Sequence, residues 1–377
     1  MRDFDARAED DLAEVRPAVL ADADSERQRY RLRSVQLRAA RRAFMARHLD
    51  AGRVACLVRG PGARPRIGDY VLARVLEIGR HRRLETETGR RADLQPGDEV
   101  ILVYGARYAP DQFRGEVPSR LGACHLLAAG GLAGRCIARH AGVRAPTRIA
   151  PLGLLADETG RVWNTRDTAP LAGADSRLPD GPRPLAVAVA GTAMNAGKTT
   201  TAAALVRGWR RLGLAVGAIK ASGTASAGDR FAYLDAGAEV VLDPSDHGLP
   251  STADVPWPRQ WETVRVLVAE AIRRGVERLV VEVADGFLFE DSARLVEELC
   301  RAGLVRGLLL AAADAAGALA GRAWARERGL PLLAVSGALT LSPLAVEECR
   351  HHLDLPVVPP ARLEETAWLP DDALVAA

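Results

Sequence analysis

Residues 185 to 200 read LAVAVAGTAMNAGKTT, and our expectation of the architecture starts from this stretch. It begins as an unbroken run of small apolar residues, which is typical of a buried parallel strand. The run continues into a loop of small residues that ends in Gly197, Lys198 and Thr199. A strand, a glycine-containing loop, a lysine and a hydroxyl residue in this order indicate a phosphate-binding loop. The first glycine is Gly191, so the loop is one residue longer than the plain pattern.

The pattern predicts a role for each part of this loop. Backbone N–H groups would hold the polyphosphate of ATP or GTP, Lys198 would reach the β- and γ-phosphates, and Thr199 would bind Mg²⁺. The following amphipathic helix, expected from Thr201 to Leu212, would direct its positive end toward the anion. The alternative is a strand, turn and helix of small residues without a ligand. The residues predicted to bind the nucleotide are Gly191, Thr192, Asn195, Ala196, Gly197, Lys198, Thr199 and Thr200.

Lysine is rare in this chain. Of 51 basic residues, Lys198 and Lys220 are lysine and all the others are arginine. An arginine-rich chain that keeps two lysines indicates positions where a compact ammonium is needed and a planar guanidinium would not serve. Lys220 is therefore a second candidate for a site residue.

Composition limits the functional classes. The chain has 377 residues, which suggests two or three domains, and its net charge of +3 predicts no nucleic-acid partner. It shows neither a signal-peptide pattern nor an apolar run of 18 residues, so we expect a cytoplasmic protein without a membrane partner. Five cysteines without a C-x-x-C pair are expected to be reduced.

The predicted fold class is α/β, with a mainly β domain before a doubly wound, mostly parallel sheet. From Leu185 onward strands alternate with helices, so ligands are expected at the carboxyl ends of the strands. These strands are expected near residues 185–190, 214–219, 239–242, 278–283, 305–311, 332–335 and 357–358. The predicted first half is an acidic tail with a helix (1–52, the helix over 25–49), followed by a β-rich barrel or sandwich (53–166) that includes a turn and helix over 119–150. A Pro/Gly linker (167–184) leads to the phosphate-loop domain (185–360), and a tail (361–377) follows.

Polar residues follow several of the predicted parallel strands. Glu282 lies inside a buried apolar strand, where Mg²⁺ on the neighbouring phosphate loop would compensate its charge; the alternative is an ion pair with an arginine. Asp229 is a second candidate metal ligand, and its alternative is a helix N-cap. His247 is left open as a residue for substrate contact or proton transfer.

The nearest approach to a metal-binding pattern in the first half is Cys124 and His125 with Cys136 and His140. The alternative is that these cysteines are small apolar side chains in the core. A function for this group stays open.

The phosphate-loop half resembles two families of P-loop proteins over about residues 185 to 335. The Gly-Thr opening and long spacing of the loop resemble dethiobiotin synthetases, whose lysine segment, metal-binding aspartate and acidic strand end correspond to Lys220, Asp229 and Glu282. The sequence VGAIK from Val216, Gly228-Asp229 and the run 235–239 are similar to the GTP-binding adaptor protein of molybdopterin-guanine dinucleotide synthesis. The segment after Lys220 is two residues shorter than the synthetase pattern, and Val283-Ala284 replaces its glycine-rich segment.

The resemblance implies a function as well as a fold. It implies an ATP-dependent ligase or kinase that transfers a phosphoryl group to a small carboxylate or hydroxyl substrate, with Lys198, Lys220 and Glu282 as catalytic residues. The metal ligands would be Thr199, Asp229 and Glu282. The alternative is an adaptor that hydrolyses GTP or ATP slowly and acts with a protein partner. A third reading makes the first half the binding module, gated by nucleotide, and a homodimer is left open.

Overall fold

The computed structural model describes residues 27–32 and 34–365, which form two compact units. The first unit contains the chain up to Ala172 and two later segments, Thr224–Ala227 and Ser245–Asp254. The second unit contains the remainder of the chain. Most of the two predicted tails lies outside the described residues.

The first unit is built mainly of strands. Its two short helices are α1 (Ser34–Ala39) and α2 (Thr165–Thr168). Its strands are β1 (Gln28–Arg31), β2 (Arg41–Arg42), β3 (Cys56–Arg59), β4 (Tyr70–Glu77), β5 (Arg83–Glu85), β6 (Arg91–Asp93), β7 (Glu99–Tyr104), β8 (Arg107–Tyr108), β9 (Phe113–Glu116), β10 (Cys124–Ala128), β11 (Leu132–Arg139) and β12 (Thr147–Ala156).

Five strands of the first unit pair in a closed ring, in the order β12, β4, β7, β11 and β10, with β10 returning to β12. One buried apolar cluster contains Val71, Leu102, Leu126, Ala133 and Leu154, which is one residue from each ring strand. Closure removes the exposed edges that an open sheet of short strands would present. The arrangement is a small barrel, which was one of the two predicted architectures.

Two helices predicted in the first half are wrong. The region 25–49 contains β1, α1 and β2, because β1 pairs with β3 and β2 pairs with β7. Leu32 and Leu37 are buried while Val35 is 67% exposed, so the apolar residues do not follow one helical stripe. The region 119–150 contains β10 and β11, whose pairing across the glycine turn outweighs the weak helical pattern.

The second unit contains a six-stranded, fully parallel sheet in the order β15-β14-β16-β13-β17-β18. The strands are β13 (Leu185–Gly191), β14 (Val216–Lys220), β15 (Val240–Leu242), β16 (Arg278–Glu282), β17 (Gly307–Ala311) and β18 (Leu332–Ser336). The helices are α3 (Lys198–Arg211), α4 (Ala227–Asp235), α5 (Trp257–Arg273), α6 (Glu290–Arg301), α7 (Ala315–Glu327), α8 (Pro343–His352) and α9 (Pro360–Leu363). The first residue of α4 belongs to the first unit.

The structure confirms the predicted fold class, a mainly β region and a parallel α/β sheet. Six of the seven expected parallel strands are present, while the seventh is reduced to a single bridge between Val335 and Val357. Leu205, Val206 and Trp209 of α3 pack into the buried core, as the helical pattern predicted. Among the described residues, no helix combines the length and apolar character that crossing a membrane requires.

Candidate nucleotide-binding site

The loop between β13 and α3 has the backbone conformation of a tight anion cradle. Asn195 and Gly197 both have positive φ, at 64° and 93°. A Cβ atom on Gly197 would lie 2.9 Å from the backbone nitrogen of Ala338, closer than real Cβ contacts. Position 197 therefore requires glycine for two reasons: its backbone is left-handed, and the backbone of Ala338 leaves no room for a side chain.

The N-terminus of α3 fits a bound phosphate. Its N-cap residue is Gly197, so no side chain caps the helix. The first N–H groups of an α-helix have no acceptor within the helix, and they carry its partial positive charge. An anionic phosphate would satisfy both requirements.

Lys198 lies within the loop. Its side chain is buried, with the residue 7% exposed, and Nζ donates to the backbone oxygen of Ala193 at 2.7 Å. A Cβ on Gly191 would meet the Lys198 side chain at 2.9 Å, so the first glycine leaves room for it. Burial lowers the pKa of Lys198, while the carboxylates of Glu282 and Asp285 act in the opposite direction. The ammonium is thus held inside the loop, on the backbone oxygen of Ala193.

Neighbouring strand ends hold the loop in place. The Thr192 backbone nitrogen donates to the oxygen of Ala311 at 2.9 Å, and its hydroxyl accepts from the nitrogen of Ala313 at 3.2 Å. The Ala196 oxygen accepts from the nitrogen of Ala338 at 2.9 Å. Thr192 and Ala196 therefore shape the loop, whereas Asn195 and Thr200, also predicted to bind nucleotide, are exposed.

Glu282 is the buried acid of this site. It ends β16, is 3% exposed, and accepts from the Thr199 hydroxyl at 3.4 Å through Oε1. The hydroxyl of Tyr233 donates to its other oxygen, Oε2. The alternative prediction, an ion pair between Glu282 and an arginine, is not seen among the described residues. The sheet register also places Lys220 of β14 directly beside Glu282.

Lys220 and Asp229 form an ion pair. The side chains are 11% and 27% exposed, which makes this a largely desolvated contact. Asp229 lies in the first turn of α4, which begins at Ala227, so it is not the N-cap that we kept as its alternative. Burial disfavours the charge on Lys220, but Asp229 and Glu282 outweigh it and raise the pKa. Lys220 is therefore charged and already paired.

The remaining pKa directions follow from the same cluster. Burial and the Asp229 carboxylate raise the pKa of Glu282, against the lowering effects of Lys220, the Tyr233 hydroxyl and Lys198. Burial and Glu282 raise the pKa of Tyr233 well above its ordinary value, so its hydroxyl keeps its proton and remains a donor. Ionisable groups with shifted pKa values gathered at one strand end are typical of functional sites.

The residues present fit a magnesium ion. Thr199 and Glu282 bring one hydroxyl and one carboxylate together beside the loop. Mg²⁺ in nucleotide sites is usually held by one or two protein oxygens, with phosphates and waters completing the shell. No group of three or more His, Cys, Asp or Glu in the described part of the chain could hold a metal by itself. Asp229, the third predicted ligand, is engaged by Lys220.

The other sequence candidates belong to the first unit. His247 is buried in a short 3₁₀ turn, Pro244–His247, and belongs to the first unit. Cys124 is buried in the barrel cluster, and His125 accepts from the Cys136 backbone nitrogen at 3.2 Å through Nδ1. His140 accepts from the nitrogen of Gly142 at 3.1 Å. The sequence prediction missed Tyr233, although its spacing of four residues from Asp229 places both on one helical face.

Comparison with known proteins adds little. A scan against protein-family models and a search of curated proteins give no match. Among solved structures, the chain is similar to the signal recognition particle receptor FtsY from Elizabethkingia anophelis in complex with GDP, at 15% identity and TM-score 0.35, covering 56% of this chain and 67% of that one. It is also similar to the cell division protein FtsY from Thermotoga maritima, at 18% identity and TM-score 0.34, with 56% and 73% covered.

A third similar structure is the 54 kDa signal recognition particle protein from Aeropyrum pernix in complex with GDP, at 17% identity and TM-score 0.26. It covers 50% of this chain and 37% of that one. At these TM-scores the likenesses identify no family, and the site described above is interpreted from its own geometry.

Proposed function

We propose that this protein is a magnesium-dependent nucleoside triphosphatase. One observation carries the proposal: an uncapped helix N-terminus, the buried Lys198 and the Thr199–Glu282 pair meet at one strand end. Each group is suited to one part of a magnesium nucleotide, namely the phosphate oxygens, their negative charge and the metal. Phosphoryl transfer depends mostly on positioning and charge neutralisation, which these groups would supply.

Each residue has a defined task in this proposal. Lys198 would leave the Ala193 oxygen and bind the β- and γ-phosphates, offsetting their charge. Thr199 and Glu282 would hold Mg²⁺, which when bound neutralises charge on the phosphates. Tyr233 would keep the Glu282 carboxylate in one orientation through its hydrogen bond to Oε2.

Hydrolysis is favoured over transfer to a metabolite by the state of Lys220. A ligase or kinase of the kind that the resemblance implies would use this ammonium for a substrate. In the structure Lys220 is paired with Asp229, and its side chain is 11% exposed. A substrate would therefore have to displace a desolvated carboxylate, whereas hydrolysis needs only water as acceptor. The Lys220–Asp229 pair is then a candidate to rearrange during turnover.

The test is release of inorganic phosphate from GTP and from ATP, with and without Mg²⁺. Lys198→Ala should abolish nucleotide binding in titration calorimetry, and a cooperative unfolding transition of the variant would show that the fold is retained although a buried side chain is removed. Thr199→Ala should lower magnesium-dependent turnover by about 100-fold. Thr263→Ala is the matched control, since this threonine hydroxyl donates within α5, to Arg259 at 2.9 Å.

The outcomes separate the candidate functions. Unchanged nucleotide affinity in Lys198→Ala would refute the phosphate-loop assignment. A burst of nucleoside diphosphate that depends on a small carboxylate or hydroxyl compound would show that the protein is a ligase or kinase and would refute simple hydrolysis as its function. Slow turnover that a protein partner stimulates would support the adaptor reading.

A further inference from the structure

A cleft in the first unit is lined by an unusual number of arginines. Its volume is about 560 Å³, and its walls include Arg80, Arg82, Arg83, Arg91, His81 and Gln112. We call it the arginine cleft. The one acidic residue in its wall is Asp93. The volume lies within the range of small-molecule sites, and the wall carries a clear excess of positive charge.

Two of the four arginines have no acidic partner. Within the described residues, the side chains of Arg80 and Arg82 make neither an ion pair nor a hydrogen bond. Arg83 and Arg91 make long contacts, at 3.7 Å to Asp93 and 3.6 Å to Glu85, through exposed side chains. Like charges gathered in one concave surface repel one another, and a bound anion relieves that repulsion.

A neighbouring cleft with arginines in its wall has more of its positive charge paired. The second cleft, of about 540 Å³, also has arginines and Asp93 in its wall. There Arg42 pairs with Glu87 at 2.7 Å and Arg41 pairs with Asp98 at 3.3 Å. Arg90 is the member of this second wall whose side chain makes neither an ion pair nor a hydrogen bond among the described residues. The shorter ion pairs of Arg41 and Arg42 still compensate more of the charge here than the long contacts do in the arginine cleft.

Hydrogen bonds hold two residues of the cleft wall, His81 and Gln112. The Leu127 oxygen accepts from Arg107 at 2.7 Å and lies 3.0 Å from Nε2 of His81, which must donate to it. Arg107 also donates to the side-chain oxygen of Gln112 at 3.0 Å. Gln112 is left with its NH₂ group, a donor, to offer to a ligand. Fixed donors and arginines are suited to carboxylate and phosphate oxygens.

We propose that the arginine cleft binds a small molecule that carries two or more carboxylate or phosphate groups. This site would give the barrel a binding function of its own. It does not rest on nucleotide binding, because every residue in its wall belongs to the first unit. Several separated arginines fit a multiply charged anion better than a single carboxylate, which two guanidinium groups already satisfy.

The experiment is titration calorimetry of the full chain with citrate and with pyrophosphate, at about 50 mM and 150 mM salt. The Lys198→Ala background is used for both probes, so that pyrophosphate is not captured by the phosphate loop. The cleft variant is Arg80→Ala/Arg82→Ala. Its control is Arg64→Ala/Arg120→Ala, which removes the same charge from exposed residues outside the cleft.

We expect one bound anion per chain. Relative to the Lys198→Ala background, the cleft variant should bind the anion about tenfold more weakly or worse, whereas the affinity of the control variant should change by less than about twofold. Tighter binding of citrate would indicate a ligand with carboxylate groups, and tighter binding of pyrophosphate would indicate a ligand with phosphate groups. The unfolding midpoint of the cleft variant should be unchanged, because neither arginine makes a side-chain ion pair or hydrogen bond among the described residues. The proposal is overturned if neither probe binds, if both double variants lose affinity equally, or if a 20-nucleotide single strand binds the cleft in preference to both probes.

Discussion

Replacing Tyr233 by phenylalanine tests the buried acid of the nucleotide site. Tyr233 and Glu282 are 1% and 3% exposed, and the tyrosine hydroxyl donates to Oε2 of the carboxylate. A hydrogen bond to a charged group contributes about 1.5 to 3 kcal/mol, and water cannot replace the lost donor at this depth. Tyr233→Phe should therefore lower the free energy of unfolding by about 2 kcal/mol at pH 7.5.

The pH dependence of this loss has a definite sign. Burial, with Asp229, raises the pKa of Glu282, and the Tyr233 hydroxyl opposes that rise by stabilising the charged form. An acid with a raised pKa in the folded state contributes stability at low pH, and this is lost as the pH rises through that pKa. Removing the hydroxyl raises the pKa further. The loss in free energy of unfolding caused by Tyr233→Phe should therefore be largest at neutral pH and should shrink as Glu282 takes up a proton at lower pH.

The assay is urea unfolding at 25 °C from pH 4.5 to 8, followed by tryptophan fluorescence. Trp209, one of the six tryptophans, packs in the same core cluster as Tyr233. A double-mutant cycle with Glu282→Gln isolates the pair, and we expect a coupling of about 1 to 2 kcal/mol. A loss below about 0.5 kcal/mol at pH 7.5, or a deficit independent of pH, would show that the hydrogen bond does not stabilise the carboxylate.

Three further variants test other parts of the structure. Lys220→Arg should bind nucleotide nearly normally but lose turnover by about 100-fold, since the larger planar head group disturbs the Lys220–Asp229 pair that we expect to rearrange during turnover; wild-type turnover would exclude a role for this ammonium. Gly197→Ala should weaken nucleotide binding more than about tenfold in calorimetry, because its Cβ meets Ala338, whereas Gly213→Ala, also at positive φ but with no atom within 4 Å, should bind normally. Burial lowers the pKa of His81 to about 4, so the unfolded chain takes up a proton that the folded chain does not. The first unit should therefore lose about 3 kcal/mol of stability between pH 7.5 and pH 4, and urea unfolding of His81→Gln should lack this loss.

The strand, loop and helix that form the candidate site could be predicted from sequence, because their signal is local. The phosphate loop is a contiguous pattern, and its strand must be buried on both faces, so composition alone marks it. The same reasoning placed six parallel strands, and it selected Glu282 because a carboxylate in an apolar strand needs compensation. Helix 25–49 failed because the apolar residues there are shared among two strands and a short helix whose partners are distant in sequence.

Contacts between distant residues could not be read from the chain. The pairing of Lys220 with Asp229 and the donation from Tyr233 to Glu282 depend on where α4 packs against the sheet, which no local pattern encodes. The arginine cleft could not be predicted from the sequence either, because the sequence shows many arginines but does not show which of them have no acidic partner. The periodicity of apolar side chains indicated the strands and helices of the parallel sheet, whereas charge compensation depends on distances that exist only after the chain has folded.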